Sequence, residues 1–105
     1  MDENILKEAI LRAIQQVEHP AIASSLVDLG MIRDVSYITE DSTVSLTLVL
    51  PVMEIPQNVR DYMVNNLYQA VKSTGAELTK VDLAQMTEAE RQAFFTKEQQ
   101  NWKGL

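Results

Sequence analysis

The chain of 105 residues contains no cysteine, which excludes disulfide bonds and thiolate ligands for zinc or iron. Its single histidine is His19, which precedes a proline. With one histidine and no cysteine, no pair of these residues stands at metal-ligand spacing. Only three glycines occur, and they lie too far apart to form a glycine-rich phosphate loop. We therefore predict no metal-binding residues and no cofactor.

Long apolar runs and basic clusters are also missing. No stretch approaches the roughly eighteen apolar residues of a membrane span. Lys and Arg number nine, are scattered and leave a net charge of −6, whereas a nucleic-acid-binding protein normally presents a basic face. The acidic N-terminus, MDENILKE, lacks the positive and apolar regions of a secretory signal. We expect a cytoplasmic protein that binds neither membrane nor nucleic acid.

What the chain does contain is an ordinary globular composition, with 46% apolar and 23% charged residues. A chain of this length buries a sizeable core without disulfides. We therefore expect one domain over residues 1–105.

The N-terminal segment predicts a helix from Asp2 to Val17. Asp2 is a candidate N-cap, and Pro20 ends the helix because a residue before proline avoids the helical region. Apolar residues recur at three- and four-residue steps and form one stripe. The stripe comprises Ile5, Leu6, Ala9, Ile10, Ala13, Ile14 and Val17.

A short turn and two strands are predicted next. Ser24 or Ser25 caps a single turn, and Gly30 ends it in a left-handed conformation. Ile32, Val35 and Tyr37 indicate a first strand, and the polar turn Glu40–Ser42 follows it. The second strand, Thr43–Leu50, alternates strictly between apolar and polar residues, which predicts one buried face in an antiparallel hairpin. The buried face comprises Val44, Leu46, Leu48 and Leu50.

The second half of the chain predicts a helix, a strand and a further helix. Pro56 suits the first position of the second helix, which ends before Gly75. A third strand is predicted over Glu77–Leu83. Thr87–Glu90 has the spacing of a capping box and opens the last helix. The inner face of the second helix comprises Val59, Met63, Leu67, Ala70 and Val71.

Catalytic residues are not predicted. Nucleophilic catalysis needs an activated nucleophile beside an oriented base. A small hydrolase using Ser24 or Ser25 with His19 stays open as an alternative, but no nucleophile elbow surrounds either serine.

The loop between Pro51 and Pro56 carries apolar residues, which either fold under the loop or are offered to a partner. Glu54 lies before a helix N-terminus, where free N–H groups bind anions; its carboxylate would compete for that site or complement the helix dipole. The same question of core or contact arises for the aromatic residues near the C-terminus. The predicted partner-binding residues are Val52, Met53, Glu54, Ile55, Phe95 and Trp102.

The order and motifs of the chain resemble the family called domain of unknown function fifty-nine. That family includes the SufT- and PaaD-like proteins and the domain that precedes Mrp-type ATPases. Residues 25–32, SLVDLGMI, are similar to its I-V-x-L-G-x-I signature. The resemblance implies a small α+β domain with the order helix–strand–strand–helix–strand–helix. It implies a three-stranded sheet, mixed or antiparallel, that is packed by helices.

Two departures from the family pattern bear on function. The family's D-P-E becomes His19-Pro20-Ala21, so both carboxylates are absent. Its T-T-P-x-C-P loop becomes residues 49–54, VLPVME, so the cysteine is lost. A methionine thioether carries no charge and does not replace a thiolate at an iron–sulfur cluster.

The resemblance therefore implies a non-enzymatic accessory or scaffold protein in iron–sulfur cluster assembly or metalloprotein maturation, one that does not itself carry the cluster. The implied partners are proteins of that pathway, such as a P-loop ATPase or a Suf-type factor, and a homodimer is left open. The alternative is an accessory subunit of a metabolic enzyme complex, as for PaaD-like proteins.

Overall fold

The computed structural model of the chain describes residues 3–20, 22–38, 40–52 and 54–102, with side chains in the first helix described from residue 7 onward. The predicted N-cap, Asp2, lies outside the described residues. None of the helices in these ranges is both long and apolar enough to cross a membrane. The elements are α1 (Glu3–Gln15), β1 (Ile32–Ile38), β2 (Thr43–Leu50), α2 (Gln57–Lys72), β3 (Glu77–Gln85) and α3 (Glu88–Asn101).

The three strands form one mixed sheet in the order β1-β2-β3. β1 and β2 are joined by a short turn and pair antiparallel, as the hairpin prediction requires. β3 returns through α2 and pairs parallel to β2, because a helical crossover reverses the direction of the chain twice. The predicted fold class, a single small α+β unit with a three-stranded sheet, is confirmed, and the sheet is mixed.

The central strand β2 supplies most of the core. Its alternating residues Val44, Leu46, Leu48 and Leu50 are buried, which confirms the predicted strand phase. The expectation of strict alternation is wrong at one position, since Val49 on the opposite face is also buried. The N–H of Val49 donates to the Met31 carbonyl at 2.7 Å, so the residue before β1 lies beside the end of β2.

The helices α1 and α2 pack against one another, and α2 lies along β3. Met63, Leu67 and Val71 form the buried stripe of α2, as its spacing predicts. From α1, Ile10 and Ile14 enter the same core.

The first helix ends at Gln15 rather than at the predicted Val17. The last two N–H groups bond three residues back, Gln16 to Ala13 and Val17 to Ile14, which tightens the final turn. Glu18 then forms an isolated antiparallel bridge with Ser25. The helix thus ends before the position that Pro20 would require, because the residues after it pair with the segment around Ser25.

The turn before β1 forms as predicted. The Ser25 hydroxyl accepts a hydrogen bond from the Asp28 N–H at 3.0 Å, and the Ser25 carbonyl accepts from Leu29. Gly30 follows with φ +75°, the left-handed conformation that glycine adopts without a Cβ clash.

Boundaries in the second half differ slightly from the predicted ones. Pro56 is the N-cap of α2 rather than its first helical residue. β3 continues two residues past Leu83, because Ala84 and Gln85 still pair with the end of β2. The predicted stop at Gly75 is confirmed by its φ of +93°, and the capping box of Thr87 and Glu90 is present.

Candidate partner-binding surface

The β2–α2 loop, residues 51–56, lies at the end of the sheet where β2 and β3 stop. These two strands are parallel and end side by side, and the Met86 N–H donates to the Leu50 carbonyl at 2.8 Å. The turn before β1 reaches the same end of the sheet through the bond between Val49 and Met31. Met31 and Met86 are both buried, so the loop begins next to the hydrophobic core.

The loop's own side chains differ in exposure. Pro51 is buried, whereas Val52 is 37% exposed and Glu54 is exposed. Ile55 is half-buried and packs against the core, so of the loop's predicted contact residues it is the one tied to the fold. Met53, which the sequence resemblance places at the family's cysteine, lies outside the described residues. The described part of the loop thus exposes Val52, Glu54 and the N-cap residue Pro56 to solvent.

Glu54 precedes the N-cap of α2 by two residues. No acidic residue lies in the first turn of this helix, and the N-cap proline gives no side-chain cap. The first N–H groups of α2 therefore depend on solvent or on a group outside the helix.

A second exposed surface lies along α3. Phe94 is buried and packs edge-on against His19 and Phe95, with ring centroids 6.4 and 5.8 Å apart. Phe95 is 41% exposed and Trp102 is 49% exposed. Phe95 lies on α3, and Trp102 is its C-cap residue with an extended backbone. Of the two phenylalanines, Phe94 therefore belongs to the core and Phe95 is the exposed one.

The end of α3 is tied to the segment between α1 and β1. The Asn101 carbonyl accepts from the Ala23 N–H at 2.8 Å, and Trp102 bridges Ile22. The Lys97 ammonium donates to the Asp28 carbonyl. Beside Trp102, Glu98 and Gln99 border an open cleft of about 370 Å³. The backbone around Trp102 is therefore fixed while its indole stays accessible.

The predicted contact residues thus fall into two groups. The loop lies beside the start of α3, because Met86 is bonded to Leu50. Trp102 lies fifteen residues after Thr87, which corresponds to about 22 Å along a helix at 1.5 Å per residue. Within the described ranges no hydrogen bond or ring contact joins the loop to Phe95 or Trp102.

The residues considered for catalysis have structural partners. His19 is half-buried against Phe94, and its backbone N–H donates to the Ser24 carbonyl at 3.1 Å. The Ser25 hydroxyl caps the Asp28 N–H. Across the described ranges, no three His, Cys, Asp or Glu side chains converge as a metal site would require.

Shifts in pKa occur at the start of α3. Hydrogen bonds from Arg91 and Gln92 lower the pKa of Glu88, and the charge of Arg91 adds to this effect. The backbone N–H and side chain of Thr87 lower the pKa of Glu90. Both shifts come from helix capping and side-chain pairing on the surface.

The sequence does not predict several exposed apolar residues that lie away from the predicted contacts. Ile38 and Leu83 lie on the two edge strands, and Tyr62 lies on α2. The sequence places Leu83 in a strand without showing that its strand forms the edge of the sheet. Knowledge of the strand order is needed to find it.

The fold is similar to a crystal structure of domain of unknown function DUF59 from Bacillus anthracis, with a TM-score of 0.63 and 15% identity over 89% of this chain and 92% of that one. An iron-sulfur cluster carrier protein from Synechocystis sp. is 37% identical over 81 residues, which make up 76% of this chain. The chain spans 22% of that relative's length. Residues 7–83 match the family described as iron-sulfur cluster assembly protein, and the chain belongs to that family.

Proposed function

We propose that the chain is a non-enzymatic accessory protein of iron–sulfur cluster assembly that binds a cluster-carrying partner without holding the cluster itself. One observation carries the proposal: a member of this family contains no cysteine and only one histidine. Clusters are held chiefly by thiolates, so the cluster ligands must come from another protein.

The two exposed surfaces support a role in protein contact. The β2–α2 loop, where the sequence resemblance places the family's cysteine, presents Val52 and Glu54. Exposed aromatic residues such as Phe95 and Trp102 are enriched at protein interfaces. An acidic chain, with a net charge of −6, favours a basic partner surface.

The absence of a resident cluster is tested by anaerobic reconstitution with iron and sulfide. After desalting, we expect the purified chain to retain no visible absorption and no stoichiometric iron. Retention of both by the chain alone would refute the non-carrier part of the proposal.

The accessory role is tested by cluster transfer from a loaded carrier to an apo-dehydratase, with recovered dehydratase activity as the readout. We expect the chain to change the transfer rate. Val52→Asp should weaken this effect. Ile38 is also an exposed apolar residue but lies at the other end of the strands, so Ile38→Asp should not weaken it. Trp102→Ala is compared in the same way with Tyr62→Ala.

These outcomes separate the two candidate surfaces. Loss with Val52→Asp alone assigns the contact to the loop, and loss with Trp102→Ala alone assigns it to α3. A transfer rate that is unchanged by the wild-type chain would refute the accessory role. In that case the alternative of an accessory subunit in a metabolic enzyme complex becomes the one to pursue.

A further inference from the structure

The two edges of the sheet are built differently. β1 pairs irregularly with β2, with a register shift between Arg33 and Ser36. Within that shift Asp34 has φ +57°, a left-handed conformation that interrupts the strand's outer edge. Bulges of this kind keep an edge strand from pairing with another chain.

The other edge strand, β3, has a longer regular stretch. One register shift occurs at Thr79, after which Lys80 to Gln85 pair with consecutive residues of β2. β3 has no neighbour on its outer side among the described residues. Its outward backbone groups are therefore available for a further strand.

Two opposite charges lie on this strand. Lys80 and Asp82 are two positions apart and project from the same face, opposite Ser45 and Thr47 of β2. Their side chains are 68% and 58% exposed, and they approach each other at 3.8 Å. An ion pair this exposed contributes little within one chain, so both groups can take other partners.

We propose that two copies of the chain associate through β3, antiparallel about a two-fold axis at Val81. In this arrangement Lys80 of each copy lies opposite Asp82 of the other, and Val81 lies opposite its own symmetry mate. A two-fold axis at Lys80 would oppose two lysines, and one at Asp82 would oppose two aspartates. Registers centred on Leu83 or beyond oppose no charges, so Val81 is the centre that charge complementarity selects.

The same register brings an exposed apolar side chain near the contact. Leu83, which is 39% exposed on the edge, lies just beyond the regular pairing and faces the bulge at Thr79 of the second copy. Val81 is the midpoint of β3, so the overlap of the two strands is as long as the strand allows. The bulge at Thr79 limits regular pairing to the centre, which gives a weak and reversible dimer. The proposal is independent of the role in cluster assembly.

Sedimentation of the full chain from about 10 μM to 1 mM tests for such a weak dimer. Lys80→Glu and Asp82→Lys each turn two attractive pairs per dimer into repulsive ones and should weaken association about tenfold. The double variant restores opposite charges in exchanged positions and should associate within about threefold of the wild type.

Net charge needs its own control, because each copy carries −6. Asp82→Lys makes the chain less negative, so a purely global effect would strengthen association, whereas the paired register predicts weakening. Lys7→Glu and Glu8→Lys make the matched charge changes on the exposed side of α1 and should leave the dimer unchanged.

The chain has no cysteine, so a single introduced one reports the register. Val81→Cys should oxidise to a disulfide dimer, since opposed strand residues have Cα atoms about 4.5–5.5 Å apart. Ile38→Cys on the other edge strand is the exposed control. Three results would each overturn the proposal. They are a wild type that stays monomeric up to the highest concentration, a double variant whose association does not recover, and equal cross-linking at the two introduced cysteines.

Discussion

Replacing Leu48 by alanine tests the strand phase on which the position of the loop depends. Leu48 is fully buried on the central strand, with Ile32 and Leu83 opposite it on the neighbouring strands. Removing a buried leucine side chain costs about 2–5 kcal/mol, from lost burial and from the cavity that remains. Because strands surround the site on both sides, we expect about 3 kcal/mol of lost unfolding free energy.

That loss is large for a domain of this size, whose total stability is of the order of 5–15 kcal/mol. It corresponds to a fall in Tm of roughly 12–24 °C at 4–8 °C per kcal/mol. Urea unfolding gives the free energy, and an unchanged m value shows that the variant still unfolds as one unit.

Thr47→Ala is the matched control, since Thr47 precedes Leu48 and lies half-buried on the opposite face. We expect it to cost less than about 1 kcal/mol, the span of strand propensities. Equal losses for the two variants, or a loss below about 0.5 kcal/mol for Leu48→Ala, would refute the strand phase, since a slip by one residue exchanges the two faces.

Four further predictions follow from the described geometry. Gly75→Ala should lose about 1–2 kcal/mol by urea unfolding, because φ +93° strains an alanine although no atom lies within 4 Å of its Cβ. Thr87→Ala removes the N-cap of α3 and should lower the unfolding free energy by about 0.5–2 kcal/mol. The control Thr96→Ala, within the same helix, should cause a smaller loss. The pKa of Glu90 in the folded protein lies below its ordinary value of 4.5, so its stabilising contribution is present above pH 4.5 and is lost as the pH falls through the folded pKa. Glu90→Gln should therefore reduce the pH dependence of the unfolding free energy in this acidic range. Val52→Asp should leave Tm within about 3 °C, since a surface substitution changes stability by about 0.5 kcal/mol or less; a larger fall would show that Val52 supports the fold.

Much of the fold is readable from local sequence patterns. The alternation in Thr43–Leu50 gave the limits of β2, and the Thr87–Glu90 spacing gave the capping box. Both signals depend on neighbours in the chain, so no tertiary information is needed. The end of α1 was missed because Glu18 pairs with Ser25, a contact that no helical pattern records.

The sheet and the candidate site were less accessible to sequence reasoning. A hairpin signal predicts the pairing of β1 with β2, but the place of β3 beside β2 depends on the crossover through α2. The burial of Val49 likewise depends on tertiary packing in the core, which the alternation within β2 does not record. Exposure of Val52, Phe95 and Trp102 agrees with their predicted contact role, which stays a prediction.

The attachment of α3 has a consequence for the order in which the molecule opens. Among the described residues Phe94 is the buried side chain of α3, and its end is held by the bonds of Ala23 to Asn101 and of Lys97 to Asp28 and by the bridge between Ile22 and Trp102. A unit with so few apolar contacts opens at lower free energy than the central strand does. Amide hydrogens of α3 should therefore exchange with solvent well before those of β2. Each such opening bares Phe94 while the sheet remains intact.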